Sequence, residues 1–144
     1  MRTLGVDLGS VRVGVALSDP TGTLASPLTV LARSADVLGR LAALAEEHAV
    51  GAIVVGLPRS LDGRERRAAQ AARAEAVLLS ERVSVPVHLQ DERLSSVAAH
   101  AGLAAAGKTA RQRRGNVDAS AAAVLLQSWL ESPAGRRPEE GSAP

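Results

Sequence analysis

Two short patterns near the start of the chain alternate apolar side chains with small or polar ones. The apolar positions are Leu4, Val6 and Leu8 in the first pattern and Val13, Val15 and Leu17 in the second. A period of two is typical of strands that bury one face, so the sequence predicts a β-hairpin connected through residues 9–12. Asp7 falls on the face opposite the apolar one, next to three glycines: Gly5, Gly9 and Gly14.

Three further strands follow from the apolar pattern downstream. Residues 24–31 predict a third strand, and Pro27 predicts that it lies at a sheet edge because proline cannot donate a ladder hydrogen bond. The continuous apolar run AIVVGL, residues 52–57, is typical of a strand buried on both faces in a parallel sheet. Residues 85–89 predict a short fifth strand.

Helical periodicity occupies the intervals between these strands. Ser34 is a candidate cap for a first helix, whose predicted stripe is Val37, Leu41, Leu44 and His48. Asp62 and Glu65 have capping-box spacing before a second helix that ends near residue 82. Its predicted buried positions are Ala69, Ala72, Ala76 and Leu79. Residues 94–106 and 118–131 predict the last two helices, with residues 107–117 as a basic loop between them.

This order predicts an α/β fold: a mixed five-stranded sheet, with three antiparallel strands and then parallel ones, flanked by helices. We expect one domain over residues 1–131 and a disordered tail over 132–144, where proline, glycine and charge dominate. If the strand order is 3-2-1-4-5, the first and last strands are separated by one strand, which puts their ends about 10 Å apart.

Composition excludes several classes of function. The 144 residues contain one tryptophan, no phenylalanine, no tyrosine and no cysteine. This excludes disulfides and thiolate metal sites, and it argues against an aromatic platform for stacking bases. No signal peptide or bilayer-length apolar run is visible, so we expect a cytoplasmic protein without a membrane partner.

The distribution of charge says more than the net charge of +2. Four basic residues without an intervening acid suit a polyanion: Lys108, Arg111, Arg113 and Arg114. A second arginine-rich segment, residues 59–73, contains Glu65 and is followed by Glu75, so we interpret it as a solvated helix face.

Acidic residues mark the predicted ends of three elements. Asp7 lies near the end of the first strand, Asp91 and Glu92 follow the last strand, and Asp118 opens the last helix. If these carboxylates converge, oxygen ligands without cysteine suit Mg²⁺ or Mn²⁺, and such ions support phosphodiester hydrolysis. The simpler alternatives are a turn-bonding carboxylate for Asp7 and a favourable helix-dipole contact for Asp118.

Four segments in this order resemble the YqgF (RuvX) family of pre-16S rRNA nucleases and Holliday-junction-resolvase-like proteins. They are GVDLGSVRVGVALSD (5–19), VVGLPRSLDG (54–63), DERLSS (91–96) and VDASAAAVLLQSWL (117–130). Two departures are Ser95-Ser96 in place of the usual Thr-Thr, and arginines where lysines are common before the last motif. Arginine for lysine keeps the charge and changes the hydrogen-bond geometry.

The resemblance implies an RNase H-like fold and a metal-dependent nuclease site at Asp7, Glu92 and Asp118. Adjacent residues of an extended segment point to opposite faces, so only one of Asp91 and Glu92 can face Asp7. The resemblance, and not the geometry, favours Glu92. Gly9, Pro58, Gly63 and Asp91 are expected to support the site. Nucleic acid is expected to contact Arg12 and Arg93 in addition to the four basic residues of the loop.

The function that follows is hydrolysis of structured nucleic acid, with 5′-end processing of pre-16S rRNA as the expected role. Alternatives are a resolvase of branched DNA and a non-catalytic RNA-binding factor in ribosome assembly. The first motif also resembles the phosphate-binding hairpin of actin-like ATPases, but the chain lacks the length for the second lobe that encloses ATP. The protein is expected to act as a monomer or as a homodimer, which would match a symmetric junction.

Overall fold

The computed structural model describes residues 1–9, 11–34, 36–57, 67–91 and 110–132, and at residues 67–68, 91 and 110–118 it describes the backbone alone. The elements within these ranges are β1 (Thr3–Leu8), β2 (Arg12–Ser18), β3 (Ala25–Ala32), α1 (Val37–Glu47), β4 (Ala52–Leu57), α2 (Arg67–Ser80), β5 (Val87–Asp91) and α3 (Ala110–Glu131).

The strands form one five-stranded sheet in the order β3-β2-β1-β4-β5. The pairs β1–β2 and β2–β3 are antiparallel, whereas β1–β4 and β4–β5 are parallel. Every residue of β4 is buried, because this strand has a parallel neighbour on each side and helices over both faces. The mixed sheet and the strand order predicted from the sequence are confirmed.

The edge position of β3 is confirmed as well. Val15 pairs with Thr29 and Ala16 pairs with Pro27, so Leu28 is an additional residue in β3 and forms a bulge. A bulge beside a proline interrupts the row of edge hydrogen-bonding groups, which protects an edge strand from pairing with other chains.

The two faces of the sheet pack against different helices. On one face, Leu4, Val15 and Ile53 belong to a core that includes Leu41 of α1 and Leu79 of α2. On the other face, Ala16 and Val54 pack against α3 through Ala122, Leu126 and Trp129. Small side chains on the second face let α3 lie close to the sheet.

A close approach of α3 to the sheet occurs at Gly5 in β1. A Cβ added there would lie 2.8 Å from the Cβ of Leu126 and 3.1 Å from the carbonyl oxygen of Ala122. Both are parts of α3 that cannot rotate away, since one is a Cβ and the other is backbone. Glycine is therefore required at this position for α3 to rest on β1.

Three predicted boundaries are wrong, the first of them at α1. Asp36, not Ser34, flanks the helix, and its side chain makes no capping hydrogen bond. The carbonyl of Ser34 instead accepts the Val37 N–H at 3.3 Å, in a turn that leads into the helix. The fully buried stripe continues from Leu41 to Ala45, and the predicted Leu44 is partly buried against the same core. His48 lies at the carboxyl end of α1.

The second difference is in β5, which is shifted by two residues from the predicted 85–89. Gln90 pairs with Gly56 and Asp91 pairs with Leu57. Aspartate has low strand propensity, but the pairing with β4 outweighs this local preference.

The third difference is in α3, which begins at Ala110 rather than at Asp118. Residues 110–117, predicted as a loop, are helical, so Arg111, Arg113 and Arg114 lie on the first turns and Asp118 lies inside the helix. Gly115 favoured a loop, but one glycine costs only about 1 kcal/mol relative to alanine, and the neighbouring Ala, Arg and Gln are strong helix formers.

Several predicted segments lie outside the described residues: the loop at 58–63 with the Asp62–Glu65 capping box, the helix at 94–106, residues 107–109 and the tail from 133 onward. In the described part of the chain, no helix has the length and apolar content needed to cross a bilayer.

Asp19 organises the turn that joins β2 to β3. Its carboxylate accepts hydrogen bonds from the Thr21 hydroxyl at 2.5 Å and from the backbone N–H groups of Thr23 and Leu24 at 2.8 and 3.0 Å. These donors, with Thr21 the strongest, lower the pKa of Asp19 from its ordinary 3.8 to about 2.

We expect Gly5→Ala to destabilise the protein by about 1 to 3 kcal/mol, because the added methyl group pushes α3 off β1. Gly39→Ala in α1 is the matched control. The three heavy atoms nearest to its Cβ would belong to the Asp36 carboxylate, the closest at 2.5 Å, and that side chain is 77% exposed and can move. Urea unfolding measures both, and an equal loss of stability in the two variants would contradict the close helix–strand contact.

The lowered pKa of Asp19 predicts a pH-dependent contribution to stability. Because the folded pKa lies below the unfolded one, the contribution is present above about pH 4 and is lost as pH falls towards about 2. The stability difference between wild type and Asp19→Asn should therefore shrink over that interval in urea titrations. Thr21→Val should raise the pKa of Asp19 in a carboxyl NMR titration, and an unchanged value would contradict this assignment.

Candidate active site

Asp7 lies one residue before the carboxyl end of β1. It pairs with Gly14 of β2, and its side chain is partly buried. Side chains alternate along a strand, so Asp7 is on the same face as Gly5, the face that α3 covers. Glycine at position 14 leaves no side chain beside the carboxylate on the neighbouring strand.

The path of α3 across the sheet leads towards this carboxylate. At its carboxyl end, the Gln127 side chain accepts the Ala25 N–H at 2.8 Å and donates to the Thr23 carbonyl at 3.0 Å, at the edge where β1 begins. Ala122 comes more than one helical turn before Gln127 and lies over Gly5 in the middle of β1. The helix backbone at Asp118 is one further turn along the same path, towards the edge where β1 ends.

The turn after Asp7 is fixed by its backbone. Gly9 donates its N–H to the carbonyl of Asp7 at 3.1 Å. A Cβ added at Gly9 would overlap the carbonyl oxygen of Arg12, so the turn requires glycine here. The carbonyl of Val11 accepts the N–H of Arg33 at 3.1 Å, which ties the turn to the end of β3.

Arg33 is itself held by an ion pair with Glu75. Its guanidinium donates two hydrogen bonds to the Glu75 carboxylate of α2, at 2.5 and 2.7 Å, with the two side chains 27% and 22% exposed. The hydrogen bonds to Glu75 raise the pKa of Arg33. No local sequence pattern indicates this pair, since 42 residues separate its members. The position of Glu75 after an arginine-rich segment favours a solvated helix face instead.

The carboxyl end of β5 lies at the same edge of the sheet as Asp7, because β1, β4 and β5 are parallel. The phase of β5 is set by two contacts with α3. The His88 ring lies 5.1 Å from that of Trp129, and the Gln90 amide donates to the Ser128 hydroxyl at 3.2 Å. His88 and Gln90 therefore share the face on which Asp7 lies.

The predicted site residues divide into three groups. The structure describes Asp7, Gly9 and Arg12 in full, all three in or next to the β1–β2 turn. For Asp91, Arg111, Arg113, Arg114 and Asp118 it describes the backbone. Glu92, Arg93, Lys108, Pro58 and Gly63 lie outside the described residues. Among the residues described with side chains, no three acidic, histidine or cysteine residues gather as a metal site.

The family match and the named relatives of this chain agree with each other. Residues 1–132 match the family described as RuvX, Holliday junction resolvase. A protein of Anaeromyxobacter sp. (strain K) named "Putative pre-16S rRNA nuclease" is 48% identical over 133 residues, covering 91% of this chain and 97% of its own. A protein of Mycobacterium leprae with the same name is 46% identical over 146 residues, covering 99% of this chain and 79% of its own.

Comparison with solved structures identifies the fold. RuvC of T. thermophilus in complex with a Holliday junction substrate has a TM-score of 0.57 at 17% identity, covering 93% of this chain and 97% of RuvC. The fowlpox virus Holliday junction resolvase has a TM-score of 0.54 at 11% identity, covering 91% and 99%. The RNase H-like fold expected from the sequence is confirmed.

The Arg33–Glu75 pair should contribute about 1 to 2 kcal/mol of coupling energy in a double-mutant cycle, because it is partly buried and doubly hydrogen-bonded. The cycle uses Arg33→Met and Glu75→Gln. The control cycle is Arg82–Asp36, a single 3.3 Å contact between side chains that are 50% and 77% exposed, where we expect at most about 0.5 kcal/mol. Equal coupling in both cycles would show that Arg33–Glu75 does not anchor the turn.

Proposed function

Because this chain belongs to the RuvX family, we propose that it is a divalent-metal-dependent nuclease that hydrolyses phosphodiester bonds in structured nucleic acid. The observation that carries the proposal is the position of Asp7 near the carboxyl end of β1, on the face of the sheet that α3 crosses. A carboxylate there can meet groups from two other elements, the end of β5 and α3.

We propose Asp7, Glu92 and Asp118 as the metal ligands. The path of α3 supports Asp118, since its backbone lies one turn beyond Ala122 towards the edge that holds Asp7. The phase of β5 supports Glu92 over Asp91. Gln90 contacts α3, and an extended continuation of the strand returns to that face at position 92.

The separation of β1 and β5 sets the size of the proposed site. With β4 between them, their backbones are about 10 Å apart. Two carboxylate side chains reaching inward from this distance, with a third from the helix above, leave space for one or two ions and their waters between them.

The donor set determines which metal fits. The chain has no cysteine, and the proposed ligands are carboxylate oxygens, which Mg²⁺ and Mn²⁺ prefer. Such an ion supplies activation of water and stabilisation of charge on the leaving oxygen. The protein's part is to hold Asp7 in fixed geometry, through the β1–β2 pairing and the turn at Gly9.

We propose that basic residues next to these ligands bind the phosphate backbone. Arg12 begins β2 at the same edge as Asp7, and Arg93 and Lys108 are proposed to act with it. Arg111, Arg113 and Arg114 lie four to seven residues before Asp118 on α3, a distance of about 6 to 10 Å along the helix axis. We propose that these arginines let the start of α3 contact the phosphates of a nucleic-acid strand. Gly9, Pro58, Gly63 and Asp91 are proposed to support the site.

The names of the relatives favour pre-16S rRNA as the substrate. We propose that the protein processes this RNA at its 5′ end, in the cytoplasm, during ribosome biogenesis. The family description favours a second candidate, resolution of Holliday junctions or other branched DNA, for which a homodimer would match the symmetry of the substrate. A non-catalytic RNA-binding role in ribosome assembly is the third candidate, in which the basic residues would act without the metal site.

The proposal predicts that Asp7→Asn lowers the cleavage rate by about a hundredfold or more, because a lost ligand removes several kcal/mol of transition-state stabilisation. The assay follows cleavage of a pre-16S rRNA 5′-leader fragment and of a four-way DNA junction, with Mn²⁺ or Mg²⁺ and with chelator. Asp36→Asn, a change at an exposed aspartate outside the site, should leave the rate unchanged.

The outcomes separate the candidates. Cleavage of the rRNA fragment alone supports the processing role, and cleavage of the junction alone supports the resolvase. Equal activity of Asp7→Asn and wild type would overturn the proposed site. Metal-independent binding of RNA without cleavage of either substrate would replace the nuclease by the assembly factor.

A further inference from the structure

The helix α2 carries apolar side chains on its outer side as well as on its inner side. The inner stripe packs against the sheet and is buried: Ala69, Ala72, Ala76 and Leu79. On the outer side, Val77 is 59% exposed and Leu78 is 50% exposed. Ala71 and Ala74 are exposed as well. A helix that is apolar all round is normally covered on all sides, so the outer side of α2 is a candidate contact surface.

The exposed residues are centred on Ala74. Val77 and Leu78 follow it by three and four residues, and Gln70 and Ala71 precede it by four and three. Residues at these spacings are neighbours on one helix face, and all five are exposed. We call residues 70, 71, 74, 77 and 78 the outer face of α2. The small side chain at its centre lets a second helix approach closely.

Charges at the two ends of α2 are symmetric about the same residue. Arg67 begins the helix seven residues before Ala74, and Glu81 follows it seven residues after. The N–H of Glu81 donates to the carbonyl of Val77 at 3.2 Å, so Glu81 continues the last turn. Its carboxylate is exposed and has no ion-pair partner among the described residues. An antiparallel copy of α2, related by a twofold axis at Ala74, would bring Arg67 opposite Glu81 of the partner subunit.

We propose that the outer face of α2 binds the same face of a second copy of this chain, with the two helices antiparallel and the twofold axis at Ala74. In this register Ala71 lies opposite Val77 of the partner subunit, and Gln70 lies opposite Leu78 of the partner subunit. Each larger apolar side chain therefore meets a smaller or a flexible one. A twofold interface requires one patch that is complementary to itself, and both the charges and the side-chain sizes of α2 meet this requirement.

The pairing is expected to be weak and reversible. One helix face from each copy buries less than the roughly 1,200 to 2,000 Å² that is typical of specific, stable interfaces. We therefore expect a dissociation constant of roughly 10 to 100 µM. Because α2 and α3 cover opposite faces of the sheet, the pairing leaves the face that holds Asp7 uncovered. The inference does not depend on the proposed nuclease activity, and its test uses no nucleic acid.

The absence of cysteine from the chain permits a direct test of the register. The full chain with Ala74→Cys should form a disulfide-linked dimer in air with copper phenanthroline, because the axis brings the two Cα atoms within the roughly 4.4 to 6.8 Å that a disulfide spans. Ala71→Cys is the matched control. Its two copies would lie about 9 Å apart along the helix axis, so they should not cross-link with each other. They should cross-link when mixed with Val77→Cys protein.

Sedimentation equilibrium measures the same contact without a cross-link. Leu78→Asp should abolish the dimer, whereas Leu24→Asp, at a leucine that is 64% exposed in the turn before β3, should leave it unchanged. Glu81→Arg should weaken the dimer by roughly three- to tenfold because it places like charges together, and adding Arg67→Glu should restore it.

Two results would overturn the proposal. The first is wild-type protein that stays monomeric up to roughly 1 mM, far above the expected dissociation constant. The second is equal cross-linking of Ala71→Cys and Ala74→Cys, which would show random encounters instead of a defined register. Loss of the dimer with Leu24→Asp but not with Leu78→Asp would place the interface elsewhere and would equally contradict the assignment to α2.

Discussion

The contact between α3 and β1 at Gly5 sets the geometry on which the rest of the site depends. A helix usually rests on a sheet through a layer of side chains, but here the Cβ of Leu126 takes the place that a side chain at position 5 would need. This brings the backbone of α3 nearer to the sheet than larger side chains would permit. The proposed role of Asp118, one turn before Ala122 in α3, depends on this contact.

The composition of the chain is consistent with this close packing. The chain has one tryptophan and no phenylalanine or tyrosine, and the layer between α3 and the sheet includes three small residues, Ala16, Ala122 and Ala123. Small side chains lose little rotamer freedom on burial, so a thin layer costs less conformational entropy than one of long side chains. Trp129 fills the wider space towards the β5 edge, where it packs beside His88.

The parts of the fold that the sequence predicted correctly are those set by side-chain periodicity. The alternating strands, the fully buried β4 and the edge position of Pro27 follow from local pattern alone. The errors at β5 and α3 arose where neighbouring elements outweigh local preference: Gln90 and Asp91 extend a strand because β4 offers partners. Of the candidate site, the position of Asp7 was predicted, but the Arg33–Glu75 pair was not, because no local pattern signals contacts between distant residues.

The two faces of the sheet have different roles: one carries the larger apolar core, and the other carries Asp7. Leu4, Val6 and the apolar residues of α1 and α2 make the larger core, and they contain no ionisable group. Asp7 lies on the other face, at its edge, where glycine neighbours replace packing. A carboxylate at that edge does not replace an apolar side chain of the core, so it lowers the buried apolar area only slightly. Its presence therefore costs little in the free energy of unfolding. On the side of the sheet that holds the larger core, Arg33 anchors the turn beyond Asp7 to α2.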